Sequence, residues 1–508
     1  MDKDLITSQQ IRDLCQAASE AQKKFSTFSQ KKIDEICKAM ADTGYRKSVE
    51  LAKLAVEDTG MGRFEDKITK NEFSTRDLWD IIKKMKTVGV IKEDRRKKVT
   101  EFAEPMGIVA GIIPTTNPTS TAMYKIIIAL KSGNAIILSP HPRAARCTCA
   151  AAEIMKNAAL KAGAPPGIIG CITEPSVEAA QRLMQHKFVN VILSTGGRAI
   201  VIAAHSSGKP AYGVGPGNVP AFIEKSANVK KAVRDIIAGK SFDNGLICSS
   251  EQTMVVEKTI DKKVRDALKN EPVYWINSDE MEKLQKLMFN EKGQLNTSVV
   301  GQTPQKIAEI AGFTVNQTIR VLLVELGGVG KEFPFSREKL SPVLGYYVVD
   351  DANCGIEVSR KITLFHGVGH TAVIHSNNKD IVRRFSEKVT ALRVCVNTPA
   401  PHGSVGYSTD LVPAMTLGSG SWGGSITGDN ISPMHLINIK RLVWETKPLH
   451  SGLGRDRING ESFKRKGRYS QYDDLDSTQR KHLFGSNAMT EKQVESIMDE
   501  FSKQRKTV

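Results

Sequence analysis

From residue 105 onward, short runs rich in Ile and Val recur along the chain, and each run is bounded by turn residues. The segments between them have the apolar spacing of helices, as in TSTAMYKIIIALKSG and SVEAAQRLMQHK. Apolar strands that alternate with helices predict a parallel sheet covered on both faces, a doubly wound α/β fold. Ligands bind such sheets at the carboxyl ends of the strands. The predicted strands are 107–114, 134–140, 167–173, 189–195 and 219–224.

A second series of such runs predicts a second α/β unit of similar build. Residues 8–90 are predicted to be helical instead, because Ile11, Leu14 and Ala18 begin a pattern of apolar residues spaced three and four apart. A chain of 508 residues is too long for one ordinary core, so we expect two or three domains. The strands of the second series are expected at 253–258, 318–326, 343–350 and 370–376.

The composition is that of a globular protein, with 40% hydrophobic and 25% charged residues. No apolar run approaches the ~18 residues of a membrane span, and the charged N-terminus lacks a signal-peptide core, so we expect a cytoplasmic protein without a membrane segment. The eight cysteines are scattered, which favours free thiols. The net charge of +17 has two dense runs, 92–98 and 464–468, but neither contains aromatic residues, so a solvated surface is favoured over nucleic-acid binding.

One cysteine lies in a small polar turn, SFDNGLICSSEQ at 241–252. Cys248 in this turn is either a buried thiol that fills space, the commoner role of a cysteine, or a nucleophile. As a nucleophile it needs a pKa below the usual ~8.5, for which the backbone dipoles of the turn are a candidate cause. Asn117 precedes Pro118 at a predicted helix start and suits an N-cap, while its amide could also stabilise an oxyanion, and these two roles are compatible.

Glycine-rich turns and histidines give weaker signals. The turns at 194–200 and 213–218 let the backbone approach a phosphate, but neither is a dinucleotide fingerprint, and turn formation alone explains them about as well. Gly367 and Gly369 lie among three histidines and argue against a metal-binding helix, so we expect a strand and no metal, with a polar pocket lining as the alternative. These histidines are His366, His370 and His375.

Nine stretches of the chain, taken in order, carry a family resemblance. They include EPMGIVAGIIPTTNPTST, KPAYGVGPGNVPAFIE, SFDNGLICSSEQ, RVCVNTP and LGSGSWGG, and they extend over about residues 8–440. Together they resemble the aldehyde dehydrogenase superfamily in its coenzyme-A-acylating branch, which includes the aldehyde-oxidising half of bifunctional aldehyde/alcohol dehydrogenases and the acetaldehyde and propionaldehyde dehydrogenases of bacterial microcompartments. The resemblance implies a Rossmann-type cofactor domain, an α/β catalytic domain and a small oligomerisation arm, in a homodimer or homotetramer.

The resemblance also implies roles for individual residues. Cys248 matches the catalytic thiol, and Asn117 matches the asparagine that forms the oxyanion hole with the Cys248 backbone N–H. Glu338 matches the glutamate that holds the nicotinamide-side ribose, whereas Ser139 stands where hydrolytic relatives have a lysine. The residues expected at the NAD site are Pro114, Thr115, Ser139, Pro140, His141, Ser194, Thr195, Gly196, Gly197, Gly215 and Glu338. Those expected at the acyl or CoA pocket are Ile247, Ser249 and His370.

The segment GVGPGNVP departs from hydrolytic aldehyde dehydrogenases, which have ELGGKSP there. When the two are aligned on Pro220, Val214 occupies the position of the glutamate that activates water. Without a general base, the thioester should persist until the CoA thiol removes the acyl group. The expected reaction is therefore aldehyde + NAD+ + CoA to acyl-CoA + NADH, with acetaldehyde or propionaldehyde as substrate. The alternatives are a hydrolytic enzyme that releases free acid, an acylating enzyme that acts on a charged aldehyde such as sulfoacetaldehyde, and a non-catalytic scaffold protein.

These features divide the chain into five expected parts. The last part is an amphipathic helix that resembles the peptides which carry enzymes into bacterial microcompartments, and packing on its own or a sister subunit is the alternative. The parts are N-terminal helices and the NAD-binding domain at 1–221 with an oligomerisation hairpin near 90–106, a catalytic domain at 222–425, an oligomerisation strand at 426–447, a polar linker at 448–488 and the C-terminal helix at 489–508.

Overall fold

The structure, a computed structural model of the chain, describes residues 3–291 and 293–446. Its helices are α1 (Lys3–Phe25), α2 (Gln30–Arg46), α3 (Ser48–Thr59), α4 (Phe64–Glu72), α5 (Leu78–Ile82), α6 (Pro118–Lys131), α7 (Ala145–Lys161), α8 (Val177–Gln185), α9 (Arg198–His205), α10 (Val229–Ser241), α11 (Asp261–Leu268), α12 (Ser278–Met288), α13 (Pro304–Ala311), α14 (Ala352–Phe365), α15 (Lys379–Lys388) and α16 (Ala400–Val405). Its strands are β1 (Gly89–Asp94), β2 (Val99–Pro105), β3 (Ile108–Ile112), β4 (Ala135–Ser139), β5 (Ile169–Cys171), β6 (Val189–Thr195), β7 (Ala211–Val214), β8 (Val219–Ile223), β9 (Glu251–Glu257), β10 (Val273–Trp275), β11 (Val321–Glu325), β12 (Val343–Val349), β13 (Gly369–His375), β14 (Ala391–Val396) and β15 (Ile437–Val443).

The N-terminal segment is helical, as its apolar spacing predicts. Ile11, Cys15 and Ala18 of α1 are buried in the same core as β3 and β4. A π-helical turn at Phe73–Asp77 joins α4 to α5. Helical structure ends at Ile82, earlier than predicted, because the chain then enters an antiparallel strand pair.

A five-stranded parallel sheet has the strand order β5-β4-β3-β6-β7. This is the order of a dinucleotide-binding half-sheet: β4 and β5 are added on one side of β3, and β6 and β7 on the other side. Every residue of β3 and β4 is buried, because helices cover the sheet, and α6 is itself buried along its whole length. The predicted doubly wound α/β architecture is therefore confirmed, and the four predicted runs between 107 and 195 all form its strands.

A seven-stranded parallel sheet has the order β10-β11-β12-β9-β8-β13-β14. The run at 219–224 forms β8 of this sheet, so its assignment to the first series is wrong, and the expected boundary after residue 221 lies inside a strand. Three strands were not predicted. They are β7 of the five-stranded sheet and β10 and β14 of the seven-stranded sheet. The strands β7 and β10 are short, and β14 alternates buried with exposed residues at the sheet edge, which interrupts its apolar run.

A three-stranded antiparallel sheet combines a hairpin with a distant strand in the order β1-β2-β15. The basic run at 92–98 lies in and around the hairpin turn, where its side chains are partly or fully exposed. Beyond Ile437, the residues of β15 are exposed as well. A role for this sheet in joining subunits stays a prediction.

The described part of the chain contains no helix that is long and apolar enough to cross a membrane. All eight cysteines lie in that part and are free thiols. The predicted linker at 448–488 and the predicted C-terminal helix at 489–508 lie outside the described residues.

Candidate active site

In the segment between α10 and β9, an unusual backbone turn precedes Cys248. Asp243, Asn244 and Gly245 follow one another with positive φ angles of 48°, 54° and 70°. Such angles strain residues other than glycine, so contacts from elsewhere must hold them. One such contact is the backbone N–H of Arg63, which donates to the Asp243 carboxylate at 2.7 Å. The turn that leads to Cys248 is therefore fixed by the N-terminal helices.

The Cys248 thiol is in direct contact with a histidine of β13. His370 Nε2 lies 3.2 Å from Cys248 Sγ, and His370 Nδ1 lies 3.0 Å from the hydroxyl of Thr371. If Nδ1 carries the proton and donates it to Thr371, Nε2 is left free to accept a proton from the thiol. The histidine that sequence reasoning expected in a pocket lining thus touches the candidate nucleophile itself.

The other histidines of the motif do not join this pair. The predicted strand is confirmed, since His370 and His375 both lie in β13, while His366 follows α14. His375 lies five positions after His370 in the strand, an odd number, so the two side chains point to opposite faces of the sheet. Among residues 3–291 and 293–446, no group of three or more potential metal ligands occurs.

The backbone behind Cys248 is packed so closely that only glycine fits beside it. A β-carbon added to Gly217 would lie 2.2 Å from the Cys248 carbonyl oxygen and 3.0 Å from the His370 ring. Gly217 belongs to the glycine-rich turn between β7 and β8. The close approach gives this turn a purpose that sequence reasoning did not identify.

The electrostatic surroundings keep the thiol protonated. Burial, helped by the charge of Glu338, raises the pKa of Cys248 to about 12, against the opposing effects of Arg393 and of the Cys248 and Ser249 backbone N–H groups. The expectation of a lowered thiol pKa is therefore wrong, because the backbone dipoles are present but burial outweighs them. Burial, and then Arg393, lower the pKa of His370 to about 3, so its imidazole is neutral.

Asn117 occupies the N-cap position of α6 without capping it. Its side chain makes no hydrogen bond to the first N–H groups of the helix. Instead, Asn117 Oδ1 accepts a hydrogen bond from Lys70 Nζ at 2.6 Å, and Asn117 Nδ2 donates to Thr116 Oγ1 at 3.0 Å. The capping interpretation is thus wrong for the side chain, and the amide is available for a chemical role.

Apart from Glu338, the residues predicted to bind the cofactor lie along one edge of the five-stranded sheet, at the carboxyl ends of β3, β4, β6 and β7. Ser139 and Ser194 pair with Ile112 from its two sides, so they flank the end of the central strand. In open α/β sheets, this edge at the point of reversal is where dinucleotides bind. Pro114 and Thr115 follow β3, Pro140 and His141 follow β4, Thr195 ends β6, Gly196 and Gly197 follow it, and Gly215 follows β7.

This edge has the room and polarity that an anionic dinucleotide requires. A β-carbon added to Gly197 or to Gly215 would meet no atom within 4 Å, so both face open space. Gly197 is the N-cap residue of α9, and helix N-termini favour phosphate groups. The hydroxyls of Ser139 and Ser194 are buried beneath the edge and lack a hydrogen-bond partner among the described residues. The residues present therefore fit a nicotinamide dinucleotide.

Glu338 contacts the glycine-rich turn between β7 and β8. Its Oε1 accepts the backbone N–H of Gly217 at 3.0 Å, and the residue is buried. Burial raises its pKa to about 7. In this structure Glu338 supports the glycine behind Cys248, while its role at the ribose stays a prediction.

The comparison with known proteins decides the family. The model of the aldehyde dehydrogenase family matches residues 3–329. The chain belongs to the aldehyde dehydrogenase family. Among solved structures, an acetylating aldehyde dehydrogenase from Geobacillus thermoglucosidasius is similar with a TM-score of 0.87 and 45% sequence identity, over 88% of this chain and 99% of that one.

Two curated relatives narrow the position of this aldehyde dehydrogenase within the family. It is 42% identical to the bifunctional aldehyde-alcohol dehydrogenase of Escherichia coli over 85% of this chain and 49% of that protein. It is 37% identical to the succinate-semialdehyde dehydrogenase (acetylating) of Clostridium kluyveri over 86% of this chain and 96% of that protein. The resemblance to the CoA-acylating branch is confirmed, although the chain spans only about half the length of the bifunctional relatives.

A narrow cavity of this aldehyde dehydrogenase lies beside the Cys248 turn. Residues of α4, of the Cys248 turn and of α16 line it. Ile247 lines this cavity, whereas Ser249 does not, because its hydroxyl is fully buried and accepts a hydrogen bond from Ser404 at 2.7 Å. A role for either residue at the acyl or CoA pocket stays a prediction. The apolar walls include Phe73, Phe242, Ile247, Val405, Tyr407 and Met415.

Several residues around the candidate site were not predicted from the sequence. Lys70 and Asp243 are buried charges, yet a lysine in a helix with many charged neighbours normally predicts a solvent-facing residue. Arg393 donates to the His370 carbonyl at 2.9 Å and so holds β13 in place. No local pattern marks these residues, because each acquires its role through partners far along the chain.

Proposed function

We propose that this aldehyde dehydrogenase is a CoA-acylating enzyme, which converts a short-chain aldehyde, NAD+ and CoA to acyl-CoA and NADH through a thioester on Cys248. The observation that carries the proposal is the residue at the end of β7. Val214 is apolar and only 2% exposed, and it occupies the position of the hydrolytic glutamate when the chain is aligned on Pro220. Because no carboxylate activates water there, the acyl group awaits a stronger nucleophile.

The first step is attack of the thiol on the aldehyde. The thiol is protonated at neutral pH, so its proton must leave as the carbon–sulfur bond forms. His370 Nε2, at 3.2 Å from Sγ, accepts that proton as a general base. The carbonyl oxygen becomes an oxyanion, which the Asn117 amide and the Cys248 backbone N–H stabilise. The product is a hemithioacetal on Cys248.

The second stage makes and then breaks the thioester. A nicotinamide dinucleotide bound at the carboxyl edge of the five-stranded sheet would supply an acceptor for the hydride of the hemithioacetal carbon. The thioester left on Cys248 is then attacked by the CoA thiol at its carbonyl carbon, and the bond from that carbon to Cys248 breaks. The proton that His370 took from Cys248 leaves to solvent, as the lowered pKa of the imidazole favours. The neutral His370 then accepts the proton of the CoA thiol and gives it to the departing Cys248 thiolate, so the enzyme regains its starting state.

The cavity favours a small, uncharged aldehyde such as acetaldehyde or propionaldehyde. Its walls beside Ile247 are apolar, which suits a short alkyl chain. Lys70 is a cation at this cavity, but its ammonium is already bound to Asp243 and Asn117 and is not free for a substrate anion. A substrate such as sulfoacetaldehyde lacks a free cationic partner here. Equal kcat/KM values for sulfoacetaldehyde and propionaldehyde would contradict this choice.

A steady-state assay distinguishes this proposal from a hydrolytic enzyme. NADH formation from propionaldehyde and NAD+ is measured with and without CoA, and the products are identified by chromatography. The proposal expects CoA-dependent NADH and a matching amount of propionyl-CoA. NADH formation at full rate without CoA, with release of propionate, would show the hydrolytic alternative. The Cys248→Ala variant should form no NADH in either case, and wild type without any turnover would favour the scaffold alternative.

The remaining expectations form part of the same proposal. NAD+ is expected to give a higher kcat/KM than NADP+, and a ratio below unity would reverse this choice. We expect a homodimer or homotetramer by light scattering, and a monomer would contradict it. Deletion of residues 485–508 is expected to leave the specific activity unchanged but to abolish co-purification with microcompartment shells. Loss of activity on deletion would favour packing of the helix on the enzyme.

A further inference from the structure

A group of buried charges lies next to the catalytic centre and takes no part in the mechanism above. It consists of Lys67, Lys70 and Asp243, whose side chains are 3%, 4% and 0% exposed. Burying three charged side chains together is costly unless each is paired and hydrogen-bonded. The arrangement therefore calls for a role beyond packing.

Lys70 links the turn of Cys248 to Asn117. Its ammonium forms an ion pair with Asp243, five residues before Cys248, and also donates to Asn117 Oδ1 at 2.6 Å. Lys70 and Ile247, the neighbour of Cys248, line the same cavity. The lysine thus contacts the turn of the nucleophile and the oxyanion-binding amide at the same time.

The contact from Lys70 determines which end of the amide is free. Because Oδ1 accepts from the ammonium, the amide cannot rotate by half a turn without bringing its NH2 group against a cation. The Asn117 NH2 group has two N–H donors, and one of them donates to Thr116 Oγ1 at 3.0 Å. In the part of the chain that the structure describes, the other N–H has no partner. The positive charge of the Lys70 ammonium beside Oδ1 also polarises the amide and strengthens its N–H donors.

Asp243 holds Lys70 in place. Its carboxylate is bound by the backbone N–H of Arg63 at 2.7 Å and by Lys67 Nζ at 3.2 Å, and its own φ angle is positive. Burial lowers the pKa of Lys70 to about 8, and the charge of Asp243 opposes this shift. The strained turn therefore places the carboxylate where it keeps the lysine both charged and fixed.

We propose that Lys70, anchored by Asp243, is a positioning residue that orients the Asn117 amide so that Nδ2 faces the oxyanion of the reaction on Cys248. This inference rests on the proposed function. It predicts that Lys70 acts only through Asn117, on steps that develop an oxyanion. Thiol chemistry without an oxyanion should not depend on it.

The test is a double-mutant cycle of Lys70→Met and Asn117→Ala, read as kcat for CoA-dependent NADH formation. Loss of a single oxyanion donor lowers kcat by about 10²- to 10³-fold, and we expect this for Asn117→Ala. Lys70→Met should lower kcat by about 10- to 100-fold with little change in the KM for aldehyde, because a misoriented amide retains part of its effect. The double variant should be no slower than Asn117→Ala alone. Multiplying losses, or a Lys70→Met enzyme with wild-type kcat, would overturn the inference.

Matched controls separate positioning from folding. Lys67→Met removes an equally buried partner of Asp243 that does not touch Asn117, so its kcat should exceed that of Lys70→Met at least tenfold. Lys70→Arg should recover part of the activity, since it keeps a cationic donor. Alkylation of Cys248 by iodoacetamide develops no oxyanion, so its rate should be unchanged in Lys70→Met, and a parallel loss would indicate a general structural effect that contradicts the inference.

A Lys70→Met variant that does not fold, and a wild type without CoA-dependent activity, each need a separate reading. If Lys70→Met does not fold, Asp243→Asn carries the test, because it keeps the side-chain volume and one oxygen that can accept the Arg63 N–H, but removes the negative charge that anchors the lysine. Its kcat should fall at least tenfold, and a wild-type kcat would contradict the inference. Absence of CoA-dependent NADH formation in the wild type itself would refute the proposed function instead, whatever the variants do.

Discussion

Replacing His370 with alanine should change how the acylation step depends on pH. The imidazole lies 3.2 Å from the Cys248 thiol and is neutral above its pKa of about 3. It is therefore unprotonated and able to accept a proton at neutral pH. In the wild type, the rate of NADH formation in a single turnover should be nearly constant between about pH 6 and pH 9.

The structure sets the magnitude of the loss. The thiol pKa of about 12 means that, in the buried site, about one thiol in 10⁴ is ionised at pH 8. Without His370, attack depends on this small population, and general-base catalysis of this kind contributes about 10²- to 10⁴-fold. The His370→Ala variant should lose at least about 10²-fold at pH 8, and its rate should rise about tenfold for each pH unit.

The assay is stopped-flow detection of NADH with saturating aldehyde and NAD+, in the absence of CoA, from about pH 6 to pH 9. The matched control is His366→Ala, since His366 also lies in the histidine motif and has a lowered pKa caused by burial, but has no contact with the thiol. It should retain the flat profile of the wild type. A His370→Ala variant with a wild-type rate and a flat profile would refute the assignment of His370 as the general base.

Three further substitutions test other parts of the site. Val214→Glu places a carboxyl at the position of the hydrolytic glutamate, so the variant should form NADH and free acid without CoA. Its melting temperature should fall, because Val214 is buried. The control variant Val214→Ala should stay CoA-dependent. A folded Val214→Glu enzyme that still requires CoA would contradict the role given to this position. Gly197→Val adds a side chain in open space at the cofactor edge, so it should raise the KM for NAD+ at least tenfold with an unchanged melting temperature. An unchanged KM for NAD+ would contradict the assignment of the cofactor to this edge. Gly217→Ala should lower both kcat and the melting temperature, because its β-carbon would lie 2.2 Å from the Cys248 carbonyl oxygen; normal values for both would contradict the packing described.

The parallel sheets could be predicted because their strands are buried on both faces and read as continuous apolar runs, as β3 and β4 do. Where burial is one-sided or the strand is very short, the signal disappears. The edge strand β14 alternates buried and exposed residues, and β10 has three residues. The change from one sheet to the other between β7 and β8 has no local marker, so its predicted position fell within β8.

The candidate site divides in the same way. Cys248 and Asn117 could be named from ordered motifs, since these residues lie in contiguous, recognisable segments. His370 was expected only at the acyl or CoA pocket, since its contact with Cys248 joins residues 122 apart in sequence. Lys70 was not named at all, because its partner Asp243 is 173 residues away. The thiol pKa was also predicted in the wrong direction, since the turn shows its backbone dipoles in the sequence but not the burial that outweighs them.

The lifetime of the acyl group on Cys248 tests the central claim most directly. The enzyme is mixed with propionaldehyde and NAD+ without CoA, and samples are quenched for intact-protein mass spectrometry while NADH is followed by absorbance. We expect a burst of NADH equal to the number of active sites, a propionyl mass on Cys248 that persists, and its discharge as propionyl-CoA when CoA is added. Continuous NADH formation with release of propionate and no acylated protein would contradict the account.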